Sequence, residues 1–426
     1  DYYMVYGLHT SEIPLGMKVR KRKVIDLGRM VVLDQERCVL CSRCIRFFDH
    51  VTETGEMQFF GRGDHVAIGT FEDRPLDNPY SGNVVDICPV GALTSRDFRF
   101  KCRVWFLHAT DSVCGGCSTG CTVRIDHRDG TIFRMIPRRN PEVNKSWLCD
   151  EGRLSFHELN AERIQRPVMK GIDGVQVPVS WEEAIRAVDS RLKEIRQASR
   201  PGSILGFGSP SATNEALFLF KRYLGEQGDG TLFEFRVDSE DKKLSREEDR
   251  ILRHLDKHPN SMGAIKLGLI SNELDGIQGA IKGAREGRLK AGVVIYFKPL
   301  VRRDNDDFAE GQIHELISAL EYSVVLAAHK TDWLGAATVV LPVAGWSEEE
   351  GTYTNFQGRV QFAGKAIEPG GDVLPVWEVF AMLLHASGVE SPWMSPADVF
   401  ASMTEQTPAY RDIGLEQTRL PGVLAG

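Results

Sequence analysis

Cysteine is missing from the whole of this 426-residue chain after Cys149, although nine cysteines occur up to that point. A secreted disulfide protein spreads its cysteines through the domains they staple, so that class is excluded. Long hydrophobic runs are also missing. The longest, Ala291 to Phe297 and Ala336 to Trp346, fall well short of a membrane span, and the second contains Pro342. There is no basic block. Lys and Arg number 52 against 59 Asp and Glu, a formal net charge of −7. Nucleic-acid binding driven by electrostatics is thereby disfavoured. No secretory signal is visible. With 42% hydrophobic and 26% charged residues, the composition is that of a globular protein, long enough for two or three domains.

What is present is a concentration of sulfur. Dense C-x-x-C spacing in a large chain without an export signal points to metal ligation. Three regions differ in texture. Residues 1–100 are rich in Arg, Gly and turn residues and carry Cys38, Cys41, Cys44 and Cys88. Residues 101–157 carry Cys102, Cys114, Cys117, Cys121 and Cys149 on short strand-like runs, "TVRID" and "TIFRMI". From 158 onward helices and strands alternate.

In that last region Ser180 is a predicted N-cap, with Glu183 placed for a capping box. Trp181, Ala184, Ile185, Val188, Leu192 and Ile195 then form an apolar stripe at helical spacing. Further helices are expected at 214–224, 274–288 and 312–320. Strands are expected at 203–207, 265–271, 292–297, 323–328 and 337–342. Continuous apolar strands between helices imply a parallel sheet covered on both faces. Residues 226–262 are charged and poorly periodic, and are expected to form a surface excursion. The segment "GFGSPSATNEA" (206–216) starts like a nucleotide loop but lacks the third glycine of that motif, which makes a dinucleotide site a weak reading.

"CVLCSRC" (38–44) places three thiolates on one loop, the C-x2-C-x2-C spacing of bacterial ferredoxins. No Cys-Pro comes directly after it, since the next residues are "IRFF". The fourth ligand is expected from "DICPVGALTS", where Cys88 precedes Pro89. The reading is one [4Fe-4S] cluster on Cys38, Cys41, Cys44 and Cys88, and the alternative is a four-cysteine zinc site. Arg37, Arg43 and Arg46 flank these ligands. They would raise a cluster's potential, but a solvated helix face explains any one of them as well. "CGGCSTGC" with "WLCDEGR" gives a second quartet, Cys114, Cys117, Cys121 and Cys149, again read as [4Fe-4S] with zinc as the alternative. Glycines 115, 116 and 120 allow close backbone approach or tight turns. Cys102, in "FKCRVWF", reads as a buried structural thiol, and His108 and His127 as surface or core residues.

"DQERCVLCSRCIRFFDHV", "VVDICPVGALTSRDFRF" and "CGGCSTGC…WLCDEGR" resemble the G-type large iron–sulfur subunits of respiratory complex I, the NADH-quinone oxidoreductase. "EEEGTYTNFQGRVQ" (348–361) resembles the molybdopterin-oxidoreductase-like domain of the same subunits. The resemblance implies an α/β chain: a ferredoxin-like [4Fe-4S] domain at 1–100, a small β-rich [4Fe-4S] domain at 101–157, and a molybdopterin-oxidoreductase-like α/β domain with mostly parallel sheet at 158–426. It places the first quartet on the main electron path and the second off it. It also implies an upstream [2Fe-2S] domain and a one-histidine, three-cysteine cluster, and "DYYMVYGLHTSEIP" resembles the stretch just after that second motif.

The activity so implied is relay of single electrons from a flavin and NADH module through two [4Fe-4S] clusters toward quinone, with no catalytic residue in this chain. Partners would be that flavin/NADH-binding subunit and further iron–sulfur subunits. Membrane contact would be indirect, on the cytoplasmic side of a bacterial inner membrane. A working molybdenum or tungsten site often takes a protein Cys ligand, and none comes after Cys149, so no molybdopterin is expected. The alternatives are a formate-dehydrogenase-like molybdenum or tungsten oxidoreductase and, more remotely, a zinc-stabilised scaffold.

Overall fold

The computed structural model describes residues 2–10, 14–160, 162–227, 231–233, 249–269, 276–298, 300–301 and 306–426. It divides into two units, Asp1–Cys102 and Arg103–Gly426.

The first unit begins with an exposed helix, α1 (Tyr2–Tyr6). Its small antiparallel sheet is built from β1 (Ile25–Asp26), β2 (Val31–Leu33) and, much later, β5 (Leu93–Ser95), with β2 central and fully buried. Helix α2 (Arg43–His50) follows the cysteine loop directly. It buries Cys44, Ile45, Phe47 and Phe48 and turns Arg43, Arg46 and Asp49 outward. A hairpin of β3 (Met57–Phe60) and β4 (Ala67–Thr70) leads to α3 (Asn83–Ile87). That helix ends at Cys88, in extended conformation, because Pro89 bars the preceding residue from continuing the helix.

The second unit opens with an antiparallel meander, β6 (His108–Val113), β7 (Thr122–Arg128) and β8 (Thr131–Pro137). A short helix, α4 (Asp150–Leu154), leads to the main sheet. The edge hairpin β9 (Val168–Lys170) and β10 (Gln176–Pro178) precedes α5 (Trp181–Ala198), β11 (Ile204–Gly208), α6 (Asn214–Gln227) and β12 (Thr231–Phe233). Then come α7 (Ser261–Lys266), α8 (Gly276–Arg285), β13 (Ala291–Tyr296), α9 (Asp306–Ala319), β14 (Tyr322–Ala327) and β15 (Val339–Pro342). The strand order is β10-β9-β15-β14-β13-β11-β12. The five strands from β15 to β12 run parallel and β9 joins β15 antiparallel. The expected mostly parallel sheet is therefore present, and Ser180 and Glu183 form the expected capping box.

Strand alternation explains why these strands are apolar throughout. Val293, Ile295, Val324 and Leu326 face one core with α5, α6 and α10 (Val376–Ala386). Val294, Tyr296, Val325 and Ala327 face the other, with α8 and α9. Each face is covered, so neither register position tolerates charge. A three-stranded antiparallel sheet of β16 (Gly351–Thr354), β17 (Arg359–Ala363) and β18 (Val423–Leu424) completes the unit, with α11 (Pro396–Gln406) between β17 and β18 in sequence.

Two expectations fail. The strand expected at 265–271 is instead the end of α7 and a turn, with Gly268 at φ +67°. Residues 270–271 lie outside the described residues. The alternating Ile265, Leu267 and Leu269 look strand-like, but burial of Ala264, Leu267 and Leu269 in the α5–α6–α10 core fixed the helical choice. The surface excursion expected at 226–262 fails in its described part. Residues 231–233 are β12, and Leu252, His254, Asp256, His258 and Asn260 are buried. Two of their polar groups are met as follows. His258 N donates to Asp256 Oδ1 at 3.0 Å, and Asn260 Nδ2 donates to the Ala212 carbonyl at 2.9 Å. Residues 228–230 and 234–248 lie outside the described residues.

Phe380 is fully buried, with its ring centroid 5.3 Å from Phe220 and 5.9 Å from Tyr223. Phe380→Ala is expected to cost about 4 kcal/mol, read as a lowered urea midpoint. An unchanged midpoint would contradict this packing.

Candidate metal centres

The first quartet lies wholly within the first unit. Leu40 and Ser42 adopt positive φ, 56° and 60°, which coils "CVLCSRC" into a tight loop ahead of α2. Leu40 N–H points at Cys38 Sγ, 3.4 Å away. Burial raises the Cys38 thiol above its ordinary pKa, the Leu40 amide opposes this, and neighbouring Cys88 and Cys41 raise it further. Burial pushes Cys44 up to about 11, with Cys38 and Cys41 adding to it. The remote Cys88 is thus in electrostatic reach of the loop, at the point where Pro89 ends α3. Cys41 is exposed. Arg37, Arg43 and Arg46 are exposed as well, in keeping with a solvated face.

The second quartet is fully buried. Cys114, Cys117, Cys121 and Cys149 line one cavity together with Gly116, Gly152 and Val301. Burial pushes Cys114 up to about 12, with Cys117 adding, while the Gly116 amide and Lys257 oppose. Cys121 and Cys149 are raised well above the ordinary thiol value, first by burial and then by the other cysteines. Four dry thiols side by side are costly to ionise without a cation among them. Cys149 caps α4 and accepts from Gly152 N–H at 3.3 Å. A Cβ on Gly152 would stand 3.1 Å from Cys114 Sγ and 3.2 Å from Cys149 Sγ. A backbone that leaves room only for sulfur, around a volume walled by four thiols, fits a four-iron cube bound at its corners.

This loop is held from far along the chain. Asn355 Nδ2 donates to the Thr119 carbonyl at 3.2 Å, and Gln361 Nε2 to the Gly120 carbonyl at 3.0 Å. Phe356 N–H donates to the Ser118 carbonyl at 2.8 Å, and Trp346 Nε1 to the Val113 carbonyl at 2.8 Å. These four residues come from the β16–β17 hairpin or the segment before it. A Cβ on Gly115 would strike Trp346 at 2.8 Å. Sequence reasoning missed these partners, and no local pattern marks them, since the entire main sheet separates them from the loop.

The loop at 206–216 is also tied to that hairpin. Asn214 Nδ2 donates to Thr352 Oγ1 and to Thr354 Oγ1, each at 3.0 Å. Glu215 Oε2 accepts from Thr352 N–H at 2.8 Å. Burial raises Glu215 to about 7 and Glu349 to about 8, and the charge of Glu215 adds to the Glu349 shift. Cys102 corrects another expectation: it is half-buried rather than enclosed, because the chain there passes between exposed Phe100 and Trp105. His127 is half-buried opposite exposed His108, and its Nε2 pairs with Thr110 Oγ1 at 2.9 Å.

Similarity to known proteins falls along the same divisions. Residues 28–94 match the family described as NADH-quinone oxidoreductase subunit 3, ferredoxin-like domain. Residues 107–157 match NADH-ubiquinone oxidoreductase NDSU1/NuoG-like, 4Fe-4S domain, and residues 163–262 and 252–386 match molybdopterin oxidoreductase. NADH-quinone oxidoreductase subunit 3 of Thermus thermophilus is 41% identical over 208 residues, 46% of this chain and 26% of that protein. The G-type subunit of NADH-quinone oxidoreductase from Rickettsia bellii is 35% identical over 228 residues, 54% of this chain and 32% of that protein. The mitochondrial NADH dehydrogenase (ubiquinone) iron–sulfur protein 1 of Solanum tuberosum is 35% identical over 215 residues, 50% of this chain and 29% of that protein. The match thus spans under a third of each of these relatives. The resemblance read from the cysteine motifs is borne out.

Two outcomes are expected. Gly152→Ala crowds two sulfurs at once, so iron bound per chain should fall while the first quartet's share stays; unchanged iron would contradict the packing. Glu349 stays protonated in the folded chain at pH values where its unfolded counterpart has already ionised. Its stabilisation is therefore fully present below about pH 4.5 and is lost as pH rises through about 8. Glu349→Gln should flatten that decline in melting temperature, and parallel wild-type and variant curves would count against it.

Proposed function

We propose that this chain, which belongs to the molybdopterin oxidoreductase family and carries 4Fe-4S domains of the NADH-quinone oxidoreductase type, is an electron-transfer subunit of an NADH:quinone oxidoreductase. The observation that carries this reading is the buried cavity walled by Cys114, Cys117, Cys121 and Cys149. Cys38, Cys41, Cys44 and Cys88 would hold one [4Fe-4S] cluster, and Cys114, Cys117, Cys121 and Cys149 a second. Such a cluster supplies one-electron exchange with little nuclear rearrangement. The chain's own residues do the rest: they bury the thiols, exclude water and aim backbone amides at sulfur. No substrate-converting residue is assigned to it.

Three domains are proposed, at 1–100, 101–157 and 158–426. Partners would be the flavin/NADH-binding subunit and further iron–sulfur subunits. Among the described residues no helix is long and apolar enough to cross a membrane. Membrane association would be indirect, on the cytoplasmic side if the source is bacterial.

We read the third domain as lacking a pterin cofactor. Asn214 and Glu215 of the 206–216 segment bond to Thr352 and Thr354, and Asn355 and Gln361 bond to the cysteine loop. The family match favours one rival, a molybdenum or tungsten oxidoreductase. Elemental analysis separates the readings. Iron and acid-labile sulfide without molybdenum or tungsten is expected; molybdenum or tungsten with pterin would favour the rival, and zinc without sulfide a scaffold. In an assembled complex, Cys41→Ala should abolish NADH-to-quinone transfer, whereas Cys117→Ala should weaken assembly more than turnover. Wild-type quinone reduction by an intact Cys41→Ala complex would refute the main-path assignment.

A further inference from the structure

The cavity of the second quartet is not walled by sulfur alone. Arg253 and Lys257 line it too. Both side chains are largely buried, at 19% and 11% exposure. They share one carboxylate, Glu151, two residues beyond Cys149. Arg253 Nη2 donates to Glu151 Oε1 at 2.9 Å, and Lys257 Nζ stands 3.7 Å from Oε2. Among the described residues, two cations and one anion thus meet at the wall. The segment bearing the cations is fastened to the cysteine loop. Ser118 N–H donates to the Asp256 carbonyl at 2.9 Å, and Thr119 Oγ1 to the Leu252 carbonyl at 2.5 Å. Asp249 Oδ1 accepts from the amides of Ile251, Leu252 and Arg253 at 2.8, 3.0 and 3.2 Å, which fixes the turn that delivers Arg253.

Resting on the reading that this quartet holds a [4Fe-4S] cluster, we propose that Lys257, with Arg253, is the counter-charge that sets the cluster's potential, and that Glu151 positions both cations and tempers them. A cluster on four thiolates is anionic and gains one more negative charge when reduced. A cation held in the dry cavity wall favours the reduced form and raises the potential. Lys257 is a compact point charge, and burial leaves little water to screen it.

The test uses the full chain reconstituted with iron and sulfide, with iron counted per chain and each cluster titrated by paramagnetic resonance. Lys257→Met should lower the second cluster's midpoint. A tenfold loss in the reduced-to-oxidised ratio at fixed poise would read as about 59 mV for one electron. Glu151→Gln should raise the midpoint, Lys257→Arg should hold it, and the first cluster's midpoint should not move. Should Lys257→Met fail to fold, Glu151→Gln carries the test. An unmoved second midpoint in Glu151→Gln at full iron content overturns the inference and leaves the cluster reading standing. A wild-type chain without a second four-iron signal overturns that reading and the inference with it.

Discussion

The carbonyls of the 113–121 loop need donors, and meeting that need organises the second unit. A loop that bends three cysteines toward one cavity leaves most of its backbone outside the β6–β7 ladder, which ends with Cys114 N–H donating to the Cys121 carbonyl at 2.8 Å. Its carbonyls at Val113, Ser118, Thr119 and Gly120 would be buried without partners, which is costly. They are met by Trp346, Phe356, Asn355 and Gln361. The cysteine loop and the β16–β17 hairpin are therefore one structure, although more than two hundred positions separate them in sequence.

That coupling bears on why a large α/β domain accompanies a small cluster-binding loop. The parallel sheet is buried on both faces. The β16–β17 hairpin that donates to the loop also bonds Asn214 and Glu215 at the start of α6. Helix, hairpin and cysteine loop thus share one polar network.

The two quartets differ in surroundings. The first has an exposed Cys41 and a half-buried Cys38 and Cys88. The second is enclosed, with charged residues brought in from the 249–257 segment. Enclosure lowers the local dielectric, so each of those charges counts for more.

The grouping of the cysteines was legible in the chain alone, because C-x2-C-x2-C and C-x2-C-x3-C spacing and a Cys-Pro turn are local geometry. So was the helix at 181–198, whose cap and stripe lie within one segment, and so were the apolar strands of a two-faced sheet. Contacts between distant segments settled the rest. Residues 265–269 alternate like a strand yet turn as a helix end, since burial against α5, α6 and α10 outweighs a short pattern. Residues 249–262 read as solvated because they are polar, yet Leu252, His254, Asp256, His258, Asn260 and Ser261 are buried, and Asn260 bonds to the distant Ala212 carbonyl. Lys257 and Arg253 look like surface charge in sequence. They stand in the wall of the second cysteine cavity because Ser118 and Thr119, far upstream, anchor their segment there.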